Sequence, residues 1–392
     1  MKTLSSLTEK FTESVIREMT RVCDAAGGLN LAQGFPDFAP PEEVVRSAEQ
    51  ALREQGGALN QYPVTFGEPA LREAIARKVG SYNGITCDPV TDITVTCGAT
   101  EAMMATLKAV VNPGDEVVIF EPFYENYGPD SILSGATPRF VTLYPPNWTY
   151  NPDDLRAAFG PHTKAVIINT PHNPTGKVFT RQELSEIADL CLRWDCLTVT
   201  DEVYEHILYD GAKHLSMASL DGMSDRTVTI SSASKTYSVT GWRVGWAIAP
   251  PEISARIRKV HDFLTVGAPT PFQYGVTAGL GLGEDYYAGL SDRYHKARDF
   301  LFGVLRQTGF DPLLPRGAYY IIAQTGGAMA RLGVDDDLSF SIELIKRTGV
   351  ATVPGYSFYH GKDSVTKQAR FCYAKSDETL CSVAERLRGL RR

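Results

Sequence analysis

The chain has 392 residues and a mass of 43.0 kDa, a length that predicts two domains at about 150 residues per domain. Hydrophobic residues make up 43% and charged residues 22% of the sequence, which argues against a disordered chain or a coiled coil. The 39 basic and 46 acidic side chains give a net charge of −7. Because nucleic acids and anionic membranes are bound by basic surfaces, this acidic balance argues against both as partners.

The cysteines, the histidines and the start of the chain predict a cytoplasmic protein without a metal site. The seven cysteines are odd in number and include no Cys-x-x-Cys pair, so we expect free thiols in a reducing compartment. The seven histidines lack the spacing of metal-binding motifs such as His-Glu-x-x-His. Residues 1–10 lack the apolar core of a signal peptide, and no apolar run reaches the ~20 residues that span a membrane.

Short runs rich in β-branched residues alternate with helix-like segments between about residues 45 and 280. The strand-like runs are residues 93–96, 116–120, 165–169, 197–200, 228–230 and 244–248. Amphipathic stretches, such as residues 100–111, lie between them. This alternation predicts an α/β fold with a mostly parallel central sheet sandwiched by helices.

From about residue 285 the sequence pattern changes. A long helix-like stretch at residues 286–308 precedes isolated strand-like runs at residues 319–323, 351–353 and 370–374. We therefore expect a large domain at residues 41–284 and a small α+β domain at residues 285–392. The amino-terminal segment, residues 1–40, is expected to join the small domain.

Polar, glycine and proline residues stand where five of the predicted strands end. Ligands of open parallel sheets bind beyond the carboxyl ends of the strands. Five such ends in one sheet therefore predict a single binding site. The residues at these ends include Gly98, Ala99, Thr100, Glu121, Asn173, Asp201, Ser232 and Lys235.

Lys235 lies in a run of hydroxyl and small residues, Ser232-Ala233-Ser234-Lys235, just past a predicted strand. Serine-rich turns and backbone N–H groups bind phosphate, and Arg243 adds a charge-assisted donor. A lysine beside a phosphate site fits a cofactor that is held covalently as a Schiff base. The side chain of Asp201 suits the carboxylate that pairs with the protonated ring nitrogen of pyridoxal phosphate. The alternative role for Asp201 is a helix N-cap.

Two further features agree with this cofactor. Tyr204 follows Asp201 by three residues and is a candidate donor to the 3-oxygen of the ring, with an interfacial core tyrosine as the alternative. The turn at Gly98, Ala99 and Thr100 precedes a predicted helix, whose first backbone N–H groups bind phosphate in many proteins. A simple N-cap is the alternative role for Thr100.

Three motifs follow one another in a distinctive order. They are Asn-Thr-Pro-His-Asn-Pro-Thr-Gly at residues 169–176, Asp201-x-x-Tyr204, and Ser232-x-Ser234-Lys235-x7-Arg243. In this order and spacing the chain resembles the class I/II aminotransferases. It is most similar to the fold-type I, pyridoxal-phosphate branch that includes kynurenine/glutamine and methionine aminotransferases. The resemblance extends from the Gln-Gly-Phe-Pro-Asp-Phe run at residues 33–38 to the Ala-Arg-Phe run at residues 369–371.

The resemblance implies a role for each matching residue. Lys235 is implied to bind the cofactor covalently and to move the proton between Cα and C4′, while Asp201 pairs with the pyridine nitrogen. Arg370 is implied to bind the substrate α-carboxylate, a task that suits a bidentate guanidinium. Tyr62 is implied to reach the cofactor phosphate of the partner subunit, which predicts a homodimer with shared active sites. The remaining implied residues are Gly98, Ala99, Thr100, Tyr124, Asn173, Tyr204, Ser232 and Arg243 for the cofactor, with Gly34, Phe35 and Asn173 for the substrate.

The leading hypothesis is therefore an aminotransferase that moves an amino group between an amino acid and a 2-oxo acid. The alternative is another pyridoxal-phosphate enzyme, such as a C–S β-lyase, a racemase or an amine oxidase, since the same residues serve all of them. A third hypothesis is the aminotransferase-like sensing module of a transcription regulator. The acidic charge and the lack of a basic DNA-binding domain argue against it.

The sequence also carries a hypothesis about the amino donor. Relatives specific for dicarboxylates place a second arginine in the region that corresponds to residues 263–273, where this chain has no arginine or lysine. A distal carboxylate without a partner charge would be costly to bury. We therefore expect neutral, aromatic or thioether amino acids to be preferred over aspartate. An arginine from elsewhere, Arg17 or Arg21, folding over the pocket is the alternative.

Overall fold

The computed structural model describes residues 4–361 and 365–391. Its strands are β1 (Leu29–Asn30), β2 (Ile93–Thr96), β3 (Glu116–Glu121), β4 (Thr137–Thr142), β5 (Thr163–Asn169), β6 (Leu197–Asp201), β7 (Thr227–Ser232), β8 (Gly245–Ile248), β9 (Asp311–Pro312), β10 (Tyr320–Gln324), β11 (Val350–Ala351), β12 (Val353–Pro354) and β13 (Gln368–Cys372). Its α-helices are α1 (Val15–Ala25), α2 (Glu42–Arg53), α3 (Pro69–Lys78), α4 (Ala99–Val110), α5 (Tyr127–Leu133), α6 (Pro152–Ala158), α7 (Arg181–Trp194), α8 (Ala233–Thr236), α9 (Pro251–Thr265), α10 (Thr270–Leu280), α11 (Glu284–Gln307), α12 (Gly326–Leu332), α13 (Asp337–Thr348) and α14 (Asp377–Arg388).

Seven strands form the central sheet in the order β2-β8-β7-β6-β5-β3-β4. All neighbouring pairs are parallel except the two that involve β8, which runs antiparallel to both β2 and β7. The predicted α/β fold with a mostly parallel sheet is confirmed. The edge strand β4 was not predicted, because Pro138 is unusual within a strand and several side chains of β4 are only partly buried.

Successive residues of the central strands contribute to two different hydrophobic cores. In β3, Val117 and Ile119 join the core that contains Met103 of α4 and Ile257 of α9. Val118 and Phe120 point the other way, into a core that contains residues of α1 and α7. Side chains alternate across a strand, so these two cores lie on opposite faces of the sheet. Both faces are therefore covered by helices, as the unbroken apolar runs predicted.

Two smaller sheets lie outside the central one. Strand β1 pairs in parallel with β11, and β12, β13, β10 and β9 form a four-stranded sheet. The single strand expected at residues 351–353 is wrong, since the chain divides there into β11 and β12, which belong to different sheets. Thr352 lies between them and donates its hydroxyl hydrogen bond to the carbonyl of Arg370 at 2.6 Å, which holds the chain against β13 at the change of partner.

The division into domains at residues 40 and 284 stays a prediction. The pairing of β1 with β11 links the amino-terminal segment to the carboxy-terminal part of the chain and supports that division. All seven cysteines lie within the described ranges as free thiols. Among the described helices, none is long and apolar enough to cross a membrane. Residues 1–3, at the start of the stretch searched for a signal peptide, lie outside the described residues.

Candidate active site

A cavity of about 480 Å³ opens where β5, β6 and β7 end. Most of the residues that the sequence predicted for the site line it: Gly34, Phe35, Ala99, Thr100, Tyr124, Asn173, Asp201, Tyr204, Ser232, Lys235, Arg243 and Arg370. Gly98 lies against Arg243 at the edge of the cavity. Tyr62 is the exception, because it lies outside the cavity with 88% of its surface exposed.

The ladder between β5 and β6 places two polar side chains next to each other. Asn169 and Asp201 are paired in register at the ends of these strands. The Asn169 side-chain amide donates to the backbone carbonyl of Asp201 at 2.8 Å, and its oxygen accepts the backbone N–H of Asn173 at 2.6 Å. Asn169 therefore fixes the loop that carries Asn173 against the strand end that carries Asp201.

Asp201 is a buried carboxylate with two hydrogen-bond donors. The Tyr127 hydroxyl donates to its Oδ2 at 2.7 Å, and the backbone N–H of Val203 donates to its Oδ1 at 3.3 Å. Burial raises the pKa of Asp201, although these hydrogen bonds and the charge of Lys235 act against the rise. A carboxylate in such a place is stabilised by a cationic ring nitrogen set against it.

Lys235 stands on α8, the short helix that follows β7 directly. Its Nζ lies 3.3 Å from the carbonyl oxygen of Gly34. Burial lowers the pKa of Lys235 to about 8, with a further contribution from the charge of Arg243, while Cys372 and Asp201 oppose the shift. The neutral amine, which is both a nucleophile and a base, is therefore reached at a lower pH than in an exposed lysine.

Gly98 and Arg243 form a cradle in front of α4. Arg243 has a left-handed backbone, with φ 55°, and its guanidinium donates to the carbonyls of Thr240 at 3.0 Å and Cys97 at 3.4 Å. Gly98 has φ 85°, and a Cβ there would lie 2.3 Å from Arg243 Nη2. Glycine therefore lets the guanidinium lie beside the first N–H groups of α4, which have no partner within the helix and attract anions.

Arg370 is fully buried on β13. Its Nη1 donates to Asn173 Oδ1 at 2.8 Å, and its Nη2 donates to the carbonyl of Ala32 at 2.6 Å. Its Nε has no hydrogen-bond partner among the described residues. A buried donor without an acceptor is costly, so this nitrogen marks a place where an anionic ligand is favoured.

Tyrosine side chains enclose the cavity around Lys235. The hydroxyls of Tyr204 and Tyr320 lie 3.0 Å apart, and Tyr319 donates to the carbonyl of Gly34 at 2.9 Å. Burial raises the pKa of Tyr204 well above its ordinary value, so the phenol keeps its proton and stays a donor. The ring of Tyr124 lies edge-on to that of Tyr127, with 5.7 Å between centroids, on the cavity wall.

Sequence reasoning missed Tyr127 and Tyr320. Each bonds a residue that had been predicted, Asp201 and Tyr204 respectively. The separations along the chain are 74 and 116 residues, and no short motif connects the partners. The sequence signal that could have indicated Tyr127 is its position three residues after Tyr124, which is a predicted site residue.

The amino-terminal segment also reaches the cavity. Ser14, Ile16 and Arg17 line it together with Glu125, whose carboxylate accepts a hydrogen bond from the Ser14 hydroxyl. Arg21 pairs instead with Glu13 at 2.7 Å, and both of these side chains are exposed. Of the two arginines that the sequence left open, Arg17 is therefore the one that the fold brings to the cavity.

These groups fit pyridoxal phosphate. The cradle of Gly98 and Arg243 suits its phosphate, the buried Asp201 suits a protonated ring nitrogen, and the Lys235 amine suits a covalent bond to its carbonyl carbon. The Nε of Arg370, which has no acceptor among the described residues, suits a substrate carboxylate in the same cavity.

Comparison with known proteins identifies the family of the chain. The sequence pattern of the family described as aminotransferase class I and II matches residues 26–387. Human kynurenine–oxoglutarate transaminase 1 is 36% identical over 95% of this chain and 94% of its own. The solved structure of N-succinyldiaminopimelate aminotransferase from Mycobacterium tuberculosis is 38% identical, covers 99% of this chain and 100% of its own, and superposes with a TM-score of 0.93. A methionine aminotransferase structure from Escherichia coli is 34% identical, covers 99% of this chain and 100% of its own, and has a TM-score of 0.91.

The resemblance predicted from the motifs is confirmed at the level of the family, the fold and the reaction. The matched region contains Lys235, Asp201, Arg243 and Arg370, all of which line the cavity. The chain belongs to the class I and II aminotransferases and is a pyridoxal-phosphate-dependent aminotransferase.

Proposed function

We propose that this enzyme moves the amino group of a neutral, aromatic or thioether L-amino acid to a 2-oxo acid. The observation that carries the proposal is the buried Arg370, whose Nε lacks a partner among the described residues, in the same cavity as Lys235. Amino acids and 2-oxo acids share the carboxylate that a guanidinium recognises. Phe35 and Ile16 on the cavity wall offer apolar surface to the rest of the substrate.

In this proposal Lys235 holds the cofactor and then acts as the base. When bound, pyridoxal phosphate supplies an electron-withdrawing ring that stabilises negative charge at the substrate Cα. Lys235 Nζ would form the covalent bond to the cofactor and, when free, would take the proton from the substrate Cα and return it at C4′. The pKa of about 8 supports this role, because the amine accepts a proton readily near neutral pH.

Other residues set the charge and the orientation at the ring. Asp201 keeps the ring nitrogen protonated, and Tyr127 holds the carboxylate in place through its 2.7 Å hydrogen bond. Tyr204 and Asn173 would donate to the 3-oxygen, and Tyr124 would hold the ring by aromatic contact. The phosphate is assigned to the turn at Gly98 and to Ala99, Thr100, Ser232 and Arg243.

Arg370 orients the substrate. Its Nη1 and Nη2 are held by Asn173 and the Ala32 carbonyl, so the guanidinium cannot rotate freely. The proposal adds the Gly34 backbone N–H as a second donor to the carboxylate, because Gly34 lines the cavity and its carbonyl lies 3.3 Å from Lys235 Nζ. Fixing the carboxylate beside the lysine places Cα within reach of the base.

A homodimer with shared active sites is also part of the proposal. Tyr62 is 88% and Phe263 91% exposed, and Val64 and Val266 are 43% and 40% exposed. The two segments adjoin, since a Cβ on Gly267 would lie 2.5 Å from the ring of Pro63. Contiguous exposed apolar surface of this kind is typical of a protein interface. Tyr62 would then reach the phosphate in the partner subunit.

We infer a cytoplasmic location and the division into domains at residues 40 and 284 in the same way. The seven free thiols support a reducing compartment. The separate central and four-stranded sheets support two domains.

Lys235→Ala is expected to remove both the covalent attachment and the base. We expect kcat to fall by at least about 10²-fold, the range of general base catalysis. Borohydride reduction of the wild-type enzyme followed by peptide mapping should find the cofactor on Lys235 only. An adduct on another lysine, such as Lys375, whose Nζ bonds the Phe35 carbonyl at 2.9 Å, would contradict the assignment.

Gly98→Ala is expected to weaken cofactor binding, because the new methyl group would displace the Arg243 guanidinium. Gly114→Ala is the matched control: Gly114 also has a positive φ, 95°, but a Cβ there meets nothing within 4 Å. Absorbance titration should show a Kd for pyridoxal phosphate raised at least about tenfold by the first change, the loss of one charge-assisted hydrogen bond. Equal effects of the two variants would rule out the cradle.

Phe263→Glu is expected to dissociate the dimer and to weaken cofactor retention with it, because Tyr62 would no longer reach the partner's phosphate site. Sedimentation velocity measures the first effect and cofactor absorbance the second. Leu192→Glu, a change at a side chain on α7 that is 44% exposed, is the control. A wild-type monomer with full activity would refute the shared site.

We expect kcat/KM for methionine and phenylalanine to exceed that for aspartate by at least about tenfold, since an unpaired buried carboxylate costs several kcal/mol. A panel of donors with one 2-oxo acid acceptor measures this, and ammonia release without an acceptor would indicate elimination instead. If aspartate were preferred, this reading of the pocket would be wrong. Comparing Arg17→Gln with Arg21→Gln would then show whether the arginine on the cavity wall is the cause.

A further inference from the structure

His261 on α9 is fully buried and bonds through both ring nitrogens. Its Nδ1 lies 2.7 Å from Glu101 Oε1, and its Nε2 lies 2.7 Å from the backbone carbonyl oxygen of Thr65. A backbone carbonyl has no proton to donate, so Nε2 must carry one. The protonation state of the ring is then decided at Nδ1.

Glu101 is surrounded by donors. Its Oε2 accepts the backbone N–H of Cys97, and its Oε1 accepts the hydroxyl of Thr265 at 2.6 Å as well as facing His261. Burial raises the pKa of Glu101, but these hydrogen bonds and the histidine lower it more, so it lies below its ordinary value of 4.5. An ionised Glu101 has no proton and can only accept a hydrogen bond from Nδ1 of His261. Both ring nitrogens of His261 then carry protons.

The charges around His261 favour this state. Burial lowers the pKa of His261, but the hydrogen bond and charge of Glu101 on α4 raise it more, and the Thr65 carbonyl and Asp262 on its own helix add to the rise. The pKa therefore lies above its ordinary value of 6.5. The nearby turn adds the Cys97 thiol, whose pKa is raised by burial, and Arg243, which bonds the Cys97 carbonyl.

The histidine connects two segments that the proposed function uses. Glu101 lies in the first turn of α4, directly after the phosphate-binding turn at Gly98. Thr65 lies three residues after Tyr62, in the segment proposed to reach the partner subunit. Two short hydrogen bonds from one buried ring thus join the phosphate-binding turn to the segment that carries Tyr62.

We propose that His261 is a doubly protonated positioning residue that holds the phosphate-binding turn and the Tyr62 segment together, and that cofactor affinity falls when it loses a proton. The proposal rests on the proposed phosphate site. A group whose pKa is raised by folding contributes its full stabilisation below its unfolded pKa and loses it as the pH rises through the folded value. The link between the two segments is therefore lost as the pH rises through the folded pKa of His261. We expect the affinity for the cofactor to fall over the same pH range.

The protonation state is tested directly by NMR of the holoenzyme labelled with ¹⁵N-histidine. At pH 7 we expect two slowly exchanging ring N–H signals that disappear in His261→Gln. His172 is an internal control, because it is buried, its Nδ1 lies 2.8 Å from Thr175 Oγ1, and burial lowers its pKa to about 3, so it shows one ring proton at most. One ring proton on His261 at pH 7 would overturn the proposal.

The effect on the cofactor is tested in a Lys235→Ala background, which removes the titration of the lysine itself. The Kd for pyridoxal phosphate should rise at least about tenfold between pH 7 and the pH at which the NMR signal of His261 changes. Adding His261→Gln should remove this step, and adding Glu101→Gln should move it to lower pH. The control is His162→Gln, a change at an exposed histidine.

If the Kd for pyridoxal phosphate shows the same pH step in the folded His261→Gln variant as in its parent, the proposal is overturned. The proposed phosphate site has its own test in Arg243→Ala. If that change leaves the Kd unchanged, the phosphate site is wrong. If it raises the Kd while His261→Gln leaves the pH step in place, the phosphate site stands and the role of His261 fails.

Discussion

The register between β5 and β6 is the constraint on which the active site depends. It sets Asn169 beside Asp201 at the open edge of the sheet, and β7 follows with Ser232 one strand further. Each of these strands is buried on both faces, so a slip in register would move apolar side chains out of both cores at once. The packing of the sheet therefore fixes the spacing of the polar groups at its edge, and the loops only have to present their side chains to that edge.

Within this frame, Arg370 shows how binding and stability are linked. Two of its nitrogens are used by the protein and hold the guanidinium still, while Nε has no acceptor among the described residues. Keeping a cation buried without a carboxylate is costly to the fold. In the role proposed for Arg370, a substrate carboxylate would relieve that cost at the point where its own orientation is set. Affinity and orientation then arise from the same contact, as efficient use of binding energy requires.

The short motifs of the sequence were enough to identify the fold, the cofactor and several residues of the cavity wall, because Asp201 ends β6, and Asn173 and Lys235 lie in the short segments that follow β5 and β7. Contacts across the fold were not accessible in this way. Tyr127 reaches Asp201 across 74 residues, and His261 reaches Glu101 across 160. In the sequence alone, a histidine or a tyrosine in a helix cannot be told from an ordinary core residue, because its hydrogen-bond partner is not known. Residues 351–353 read as one strand for a similar reason, since the change of partner is decided by β1 and β13 elsewhere in the chain.

The left-handed backbone of Arg243, with φ 55°, carries a consequence for the evolution and engineering of this enzyme. That conformation costs a residue with a Cβ roughly 1–2 kcal/mol of folding free energy, and the cost is smaller for glycine or asparagine. A laboratory screen that ranked variants by melting temperature without cofactor would therefore enrich such replacements, although each removes a cation from the cradle. With Arg243 in its proposed role at the phosphate, heat resistance of the apoprotein and use of the cofactor would select in opposite directions at this one position. A search for a more robust enzyme has to be carried out with pyridoxal phosphate present.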